Sequence, residues 1–174
     1  MKKHIACVLG FLLICSGVFV GCDDVSSSVV RIHIRANSNS ETDQGVKLIV
    51  RDNIVDFITP LISDCDNSDE VKIILNENLS NIEKIANETL INNGFDYLST
   101  ACINNEYFPS RDYDGVVFPS DFYDALIIRL GEGVGDNWWC VAYPPLCFVG
   151  EGTSEEIEYK SILVDLIKKC FGRL

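Results

Sequence analysis

The residues that could do chemistry are few. The chain has eight cysteines but only two histidines, His4 and His33. A cysteine nucleophile needs a base to take its proton, and His4 sits in an apolar leader. A thiol hydrolase built on Cys140 or Cys147 would therefore rest on His33 alone. That residue lies in an alternating run, Val29 to Ala36, where a histidine is ordinarily a solvated or packed side chain. Zinc is no better served, because one histidine and scattered cysteines make no recognised ligand spacing. The chain has 26 acids, yet none stands in a distinctive setting, and Asp114-Gly115-Val116 is not the Asp-Thr/Ser-Gly of an aspartic protease. Gly131-x-Gly133-x-Gly135 resembles half of a dinucleotide fingerprint, which must open a helix. Here it runs into strand-like Asn137-Trp138-Trp139-Cys140-Val141, so it reads as a flexible turn. The expectation is a protein that is not an enzyme and carries neither metal nor cofactor.

Recognition is the chemistry that remains. Arg35, Asn37, Asp43, Gln44, Lys47, Arg51 and Asp52 place polar and charged groups around the end of the first strand and the first helix. They could be caps and a solvated helix face, or a partner surface. Asn137, Trp138 and Trp139 form the second candidate surface. Strand alternation points the two indoles to opposite faces, so one is expected in the core and the other free to cover a loop or meet a partner. Cys140 and Cys147 flank Pro144-Pro145, which can turn the chain back between them. They could form a disulfide contributing roughly 2–3 kcal/mol in the chain-entropy model, or remain two buried thiols.

Elements must position these groups. Lys2, Lys3 and His4 open a basic leader, and Ile5 to Val20 is almost continuously apolar. Such a segment predicts export. Phe19-Val20-Gly21-Cys22 resembles a lipobox, making Cys22 a lipidation candidate, with ordinary cleavage or a retained anchor as alternatives. Residues 1–22 are thus a signal peptide or membrane anchor, 23–28 a short tether, and 29–174 one globular domain. The formal charge of −12 argues against nucleic acid and anionic head groups as partners. Membrane contact would come through the leader or a lipid. Five cysteines follow Cys22, an odd number that cannot all pair within one chain.

The alternation from Val29 to Ala36 predicts a half-buried strand, with Arg31, His33 and Arg35 on its open side. Ser38 with Glu41, or Ser40 with Asp43, offers a helix cap. The helix that follows carries Val46, Ile49, Val50, Ile54, Phe57, Ile58 and Leu61 on one stripe, with Lys47, Arg51, Asp52 and Asp56 mostly opposite. Val71 to Leu75 leans to helix. Leu79 to Leu90 is a clearer one, ended by Asn92-Asn93-Gly94. Phe95 to Ile103, Phe122 to Leu130 and Trp138 to Tyr143 read as strands. Phe108-Pro109 and Phe118-Pro119 bracket an irregular or edge segment. Ser154 to Phe171 reads as a terminal helix. The expected fold is α+β: a small, mostly antiparallel sheet of about four strands with three or four helices packed on it.

Three stretches together resemble one family. They are RIHIRANSNSETDQGVKLIVRDNIV near the N-terminus, FPSRDYDGVVFPSDFYDALIIRLGEG, and GEGVGDNWWCVAYPPLCFV ending at Val149. All three are similar to stage II sporulation protein R, a family of sporulation signalling proteins in endospore formers. The resemblance implies a chain made in the forespore and exported into the space between forespore and mother cell. There it would activate a membrane-embedded aspartic protease of the mother cell, which processes a sporulation sigma-factor precursor. It implies action by binding. A surface ligand-binding lipoprotein and the thiol hydrolase above are the alternatives.

Overall fold

A computed structural model describes residues 25–113 and 116–144. The leader with Cys22, the second cysteine Cys147, Cys170 and the expected helix 154–171 lie outside the described residues. After a 3₁₀ turn, Val25–Ser28, the order is β1 (Val30–Arg35), α1 (Glu41–Ile62), α2 (Ser68–Glu77), α3 (Leu79–Asn92), β2 (Ser99–Phe108), β3 (Arg111–Tyr113), β4 (Val116–Phe118), β5 (Asp121–Leu130) and β6 (Asn137–Tyr143). The fold is α+β, as its pattern of periods leads one to expect.

Local chemistry sets the helix ends. Ser40 caps α1, its Oγ accepting the Asp43 backbone N–H at 3.1 Å; Ser38, the other candidate, is used differently. Asn67 caps α2, its Oδ1 accepting the otherwise orphaned Glu70 N–H at 3.0 Å, while the Glu70 carboxylate accepts from Asn67 Nδ2 at 2.9 Å and from the Asp66 N–H at 3.0 Å, which pins the cap in place. Gly94 ends α3 in the left-handed region, φ 82°. The Gly94 and Phe95 amides donate to Ile91 and Leu90, the bonding of a Schellman motif. Among the described residues no helix is long and apolar enough to cross a membrane.

Four strands pair in the order β2-β5-β1-β6. β1 runs parallel to β5 and antiparallel to β6, and β2 is antiparallel to β5. Val30, Ile32 and Ile34 of β1 and Leu126, Ile128 and Leu130 of β5 face the helices. Against them pack Val46, Val50, Ile54 and Ile58 of α1, Val71 and Leu75 of α2, and Ile82, Ala86 and Leu90 of α3. The opposite face is covered too. There β3 and β4 form a short hairpin, and Phe118 joins Phe108, Tyr123, Ala125, Ile127 and Val141 in a second core.

That second layer corrects the expectation for β1. The strand is central and buried on both sides, with Arg31 fully buried and His33 only 5% exposed, because the hairpin and the far end of β2 cover the face that alternation assigned to solvent. Lys47 is likewise buried rather than outward, since the loop before β6 lies over it. Ile49, placed on the apolar stripe, is instead 42% exposed: the buried row of α1 advances four residues at a time, from Val46 to Ile62, and leaves Ile49 at its margin. Phe95 to Leu98 is not strand; β2 begins at Ser99 and runs on to Phe108.

Candidate functional site

Two assemblies concentrate the polar residues. The first joins the segment after β1 to the glycine loop before β6. Asp43, 6% exposed, accepts from Asn37 Nδ2 at 3.0 Å, Ser38 Oγ at 2.5 Å and Tyr97 OH at 2.6 Å. Burial pushes its carboxyl up, but hydrogen bonds from Ser38, Tyr97, Asn37 and Ser40 outweigh that and hold it below the usual carboxylate value. Burial and the bond to Asp43 push the Tyr97 phenol far above its ordinary value. Asn37 Oδ1 accepts the Glu132 N–H, Asn39 Oδ1 accepts the Asp136 N–H, and the Gly135 N–H donates to the Ala36 carbonyl.

Lys47 closes the same network. Its Nζ donates to Gln44 Oε1 at 2.6 Å and to the Asp136 carbonyl at 3.0 Å, while Gln44 Nε2 reaches the Ser38 carbonyl at 2.9 Å. Burial pushes Lys47 below its ordinary value, with the Asp136 charge opposing and the Arg51 charge adding. Gly135 is dictated by contact, since a Cβ there would collide with the Ser38 carbonyl oxygen. The glycine run is therefore a tailored lid on the β1–α1 connection rather than a phosphate cradle.

The second assembly lies under the hairpin. The Arg31 guanidinium sits 4.5 Å from the Phe108 ring centroid, 5.1 Å from Tyr123 and 5.6 Å from both Tyr113 and Phe118. Its Nε donates to the Cys140 carbonyl at 3.2 Å and Nη2 to Tyr113 OH at 2.7 Å, while Nη1 has no hydrogen-bond partner among the described residues. Burial works against its charge, and Tyr113 and Tyr123 oppose that effect. Aromatic faces thus stand where a counter-ion is usual. His33 Nδ1 lies 2.8 Å from a Glu106 carboxylate oxygen, and Glu106 also takes Arg35. Burial pushes the His33 imidazole down to about 4, with the Arg35 charge adding and the Asn137 side chain opposing. The neutral ring then donates from Nδ1 to the carboxylate.

The expected partner surface is divided by this geometry. Asn37, Asp43, Gln44 and Lys47 are drawn together but spend their bonds inward. Arg51 pairs with Asp52 at 2.6 Å and lies 5.5 Å from the Trp138 ring. Arg35 and Trp139 belong to the other face, where Trp139 meets His33 at 5.5 Å and Arg111 at 4.4 Å. Asn137 is exposed opposite Arg35 in the ladder. The indoles do face opposite ways, Trp138 against the helix-side core and Trp139 against the second. Both are half-buried, so the expected contrast of one core ring and one free ring does not hold: each face carries its own packed layer.

Cys140 is buried and disulfide-bonded. It therefore supplies no thiolate, and its expected partner Cys147 lies outside the described residues. Cys65 and Cys102 are free. Among the described residues no group of three His, Cys, Asp or Glu is placed to hold a metal ion. Sequence reasoning missed Tyr97, Glu106, Arg31 and Arg111. None of the four carried a distinctive local signal: Arg31 alternates with apolar neighbours in β1 just as His33 and Arg35 do.

The first and last of the three signature stretches are bonded to each other. A family model described as stage II sporulation protein R matches residues 26–153. Stage II sporulation protein R of Bacillus subtilis (strain 168) is 31% identical over 171 residues, covering 91% of this chain and 76% of that protein. No solved structure matches. The chain belongs to the stage II sporulation protein R family.

Proposed function

We propose that this protein is an exported intercompartmental signal of endospore formation. It is made in the forespore and crosses the forespore membrane. By binding, it switches on a membrane-embedded aspartic protease of the mother cell, which processes a sporulation sigma-factor precursor. Family membership supplies the role in sporulation; the basic and apolar leader supports export. The observation that carries action by binding is the platform where α1 meets β6. There the inward network of Asp43 and Lys47 holds the backbone, while Arg51, Asp52 and half-exposed Trp138 remain at the surface. A rigid support beneath an aromatic and an arginine suits a recognition surface.

Co-expression of the full chain with the mother-cell protease and its sigma precursor in a non-sporulating host tests the reading. Processing that appears only with this chain is the expected result; a precursor that stays intact with all three present sinks it. A Cys140→Ser, Cys147→Ser double variant that still triggers processing removes the thiol-hydrolase alternative. Cys22→Ala separates the anchoring routes, because lipid labelling of the parent that this variant loses is the signature of lipoprotein processing.

A further inference from the structure

Among the described strands β2 lies at an edge of the sheet, and its two halves are treated differently. In an antiparallel edge, alternate residues turn both N–H and C=O away from the sheet. Ser99 and Ala101 do so, and α3 covers them: Asn87 Oδ1 accepts the Ser99 N–H at 2.6 Å and Glu83 Oε1 accepts the Ala101 N–H at 2.7 Å. The same alternation turns Ile103, Asn105 and Tyr107 outward. There, among the described residues, the protection stops, apart from a local bond of the Asn105 N–H to its neighbour Asn104. Natural edges are blunted by lysine, proline, bulges or a covering element. From Cys102 to Phe108 there is no lysine and no proline, and the ladder to β5 runs through all ten residues without a bulge.

Beside this open half stands an aromatic pair. Tyr107 and Phe122 face each other across the ladder with ring centroids 5.7 Å apart, edge to face. They are 56% and 58% exposed. We infer that the β2 edge from Ile103 to Tyr107 is a docking edge, to which an extended segment of a partner protein adds as a further strand. Main-chain bonds supply the affinity, and an apolar side chain of the incoming strand packs on Tyr107 and Phe122. The edge itself selects an extended occupant. Charge selects among extended occupants: a second copy of a chain of net charge −12 is repelled, so the incoming strand is a neutral or basic segment of another protein. The inference rests on the reading of this protein as a signal that binds, but its first test does not require the protease.

Two variants of the full chain probe it in a sporulating host lacking its own copy. Asn105→Pro removes an outward N–H, the position where an edge strand tolerates proline; Tyr107→Lys adds the charge that ordinarily guards an edge. Each is first checked for native circular dichroism and a cooperative melt. Loss of heat-resistant spores with folded variants is expected, and normal spore yield from either folded variant overturns the docking edge. Should Asn105→Pro not fold, Tyr107→Lys decides alone. Sedimentation equilibrium of the exported domain addresses the occupant: a monomer is expected, and a dimer that Tyr107→Lys dissociates overturns the partner strand in favour of a second copy. In the co-expression assay, precursor left intact by the parent itself counts against the protease reading, while the spore yields continue to judge the edge.

Discussion

Arg31 is a full charge in a site where, among the described residues, no carboxylate is one of its hydrogen-bond partners. Such a group is held by aromatic faces, one carbonyl and one phenol, against a desolvation cost of several kcal/mol. Truncating it leaves a large hole among four rings, so Arg31→Ala should destabilise by about 3–5 kcal/mol. Arg31→Met fills much of the volume without the buried charge and should stay within about 1–2 kcal/mol of the parent. Urea titrations of the two variants check the order, which reverses if the charge itself is the stabilising feature. His33 makes the pH argument. Its folded value of about 4 lies below the ordinary 6.5, so the unfolded chain binds more protons between these values. Stability is then fully present above about pH 6.5 and is lost as pH falls towards 4. Melts from pH 7 to pH 5 should show this loss, and His33→Gln should flatten it; a slope unchanged by the substitution would mean that the ring titrates alike folded and unfolded, and stability that rises on acidification would mean that Glu106 holds the ring protonated in the fold.

At the scale of elements, the β1–α1 connection and the β5–β6 loop act as one unit. Gly135→Ala drives a methyl into the Ser38 carbonyl, and backbone cannot move aside as a flexible side chain can. It should cost about 2–4 kcal/mol, where an alanine at Gly45, with open space around its Cβ position, should cost nothing and could stabilise α1. Thermal melts of the two variants give the comparison. The helices were legible because burial follows their sequence period: Val46, Val50, Ile54 and Ile58 repeat every four residues, and Asn92-Asn93-Gly94 marks an end. The joining of the two loops was not, because Asn37 and Asn39 bond to backbone nearly a hundred residues away. Nothing in a local pattern encodes that partner. The late start of β2 was hidden for a related reason, since Phe95 and Tyr97 are apolar and aromatic enough for a strand but pack as a loop against the helix-side core.

For the whole molecule, what matters is that one sheet separates two packed layers. Alternation in β1 was read correctly as two faces, but a polar face was equated with solvent. The hairpin that covers Arg31 and the end of β2 that covers His33 come more than seventy residues later, so their cover was invisible from β1 alone. This changes what the tryptophans should do. Trp138 packs in the helix-side layer and Trp139 in the hairpin layer, so both alanine variants should lose stability, each by about 2–4 kcal/mol, somewhat less than for fully buried rings. Because the sheet stands between the two cavities, the double variant should lose the sum of the single losses to within about 0.5 kcal/mol. Chemical denaturation of the four proteins closes the cycle. A double loss well below the sum would mean that the layers share strain through β1 and β6. Additivity would make the sheet a rigid partition, on which the Arg51 platform and the β2 edge can be altered one at a time.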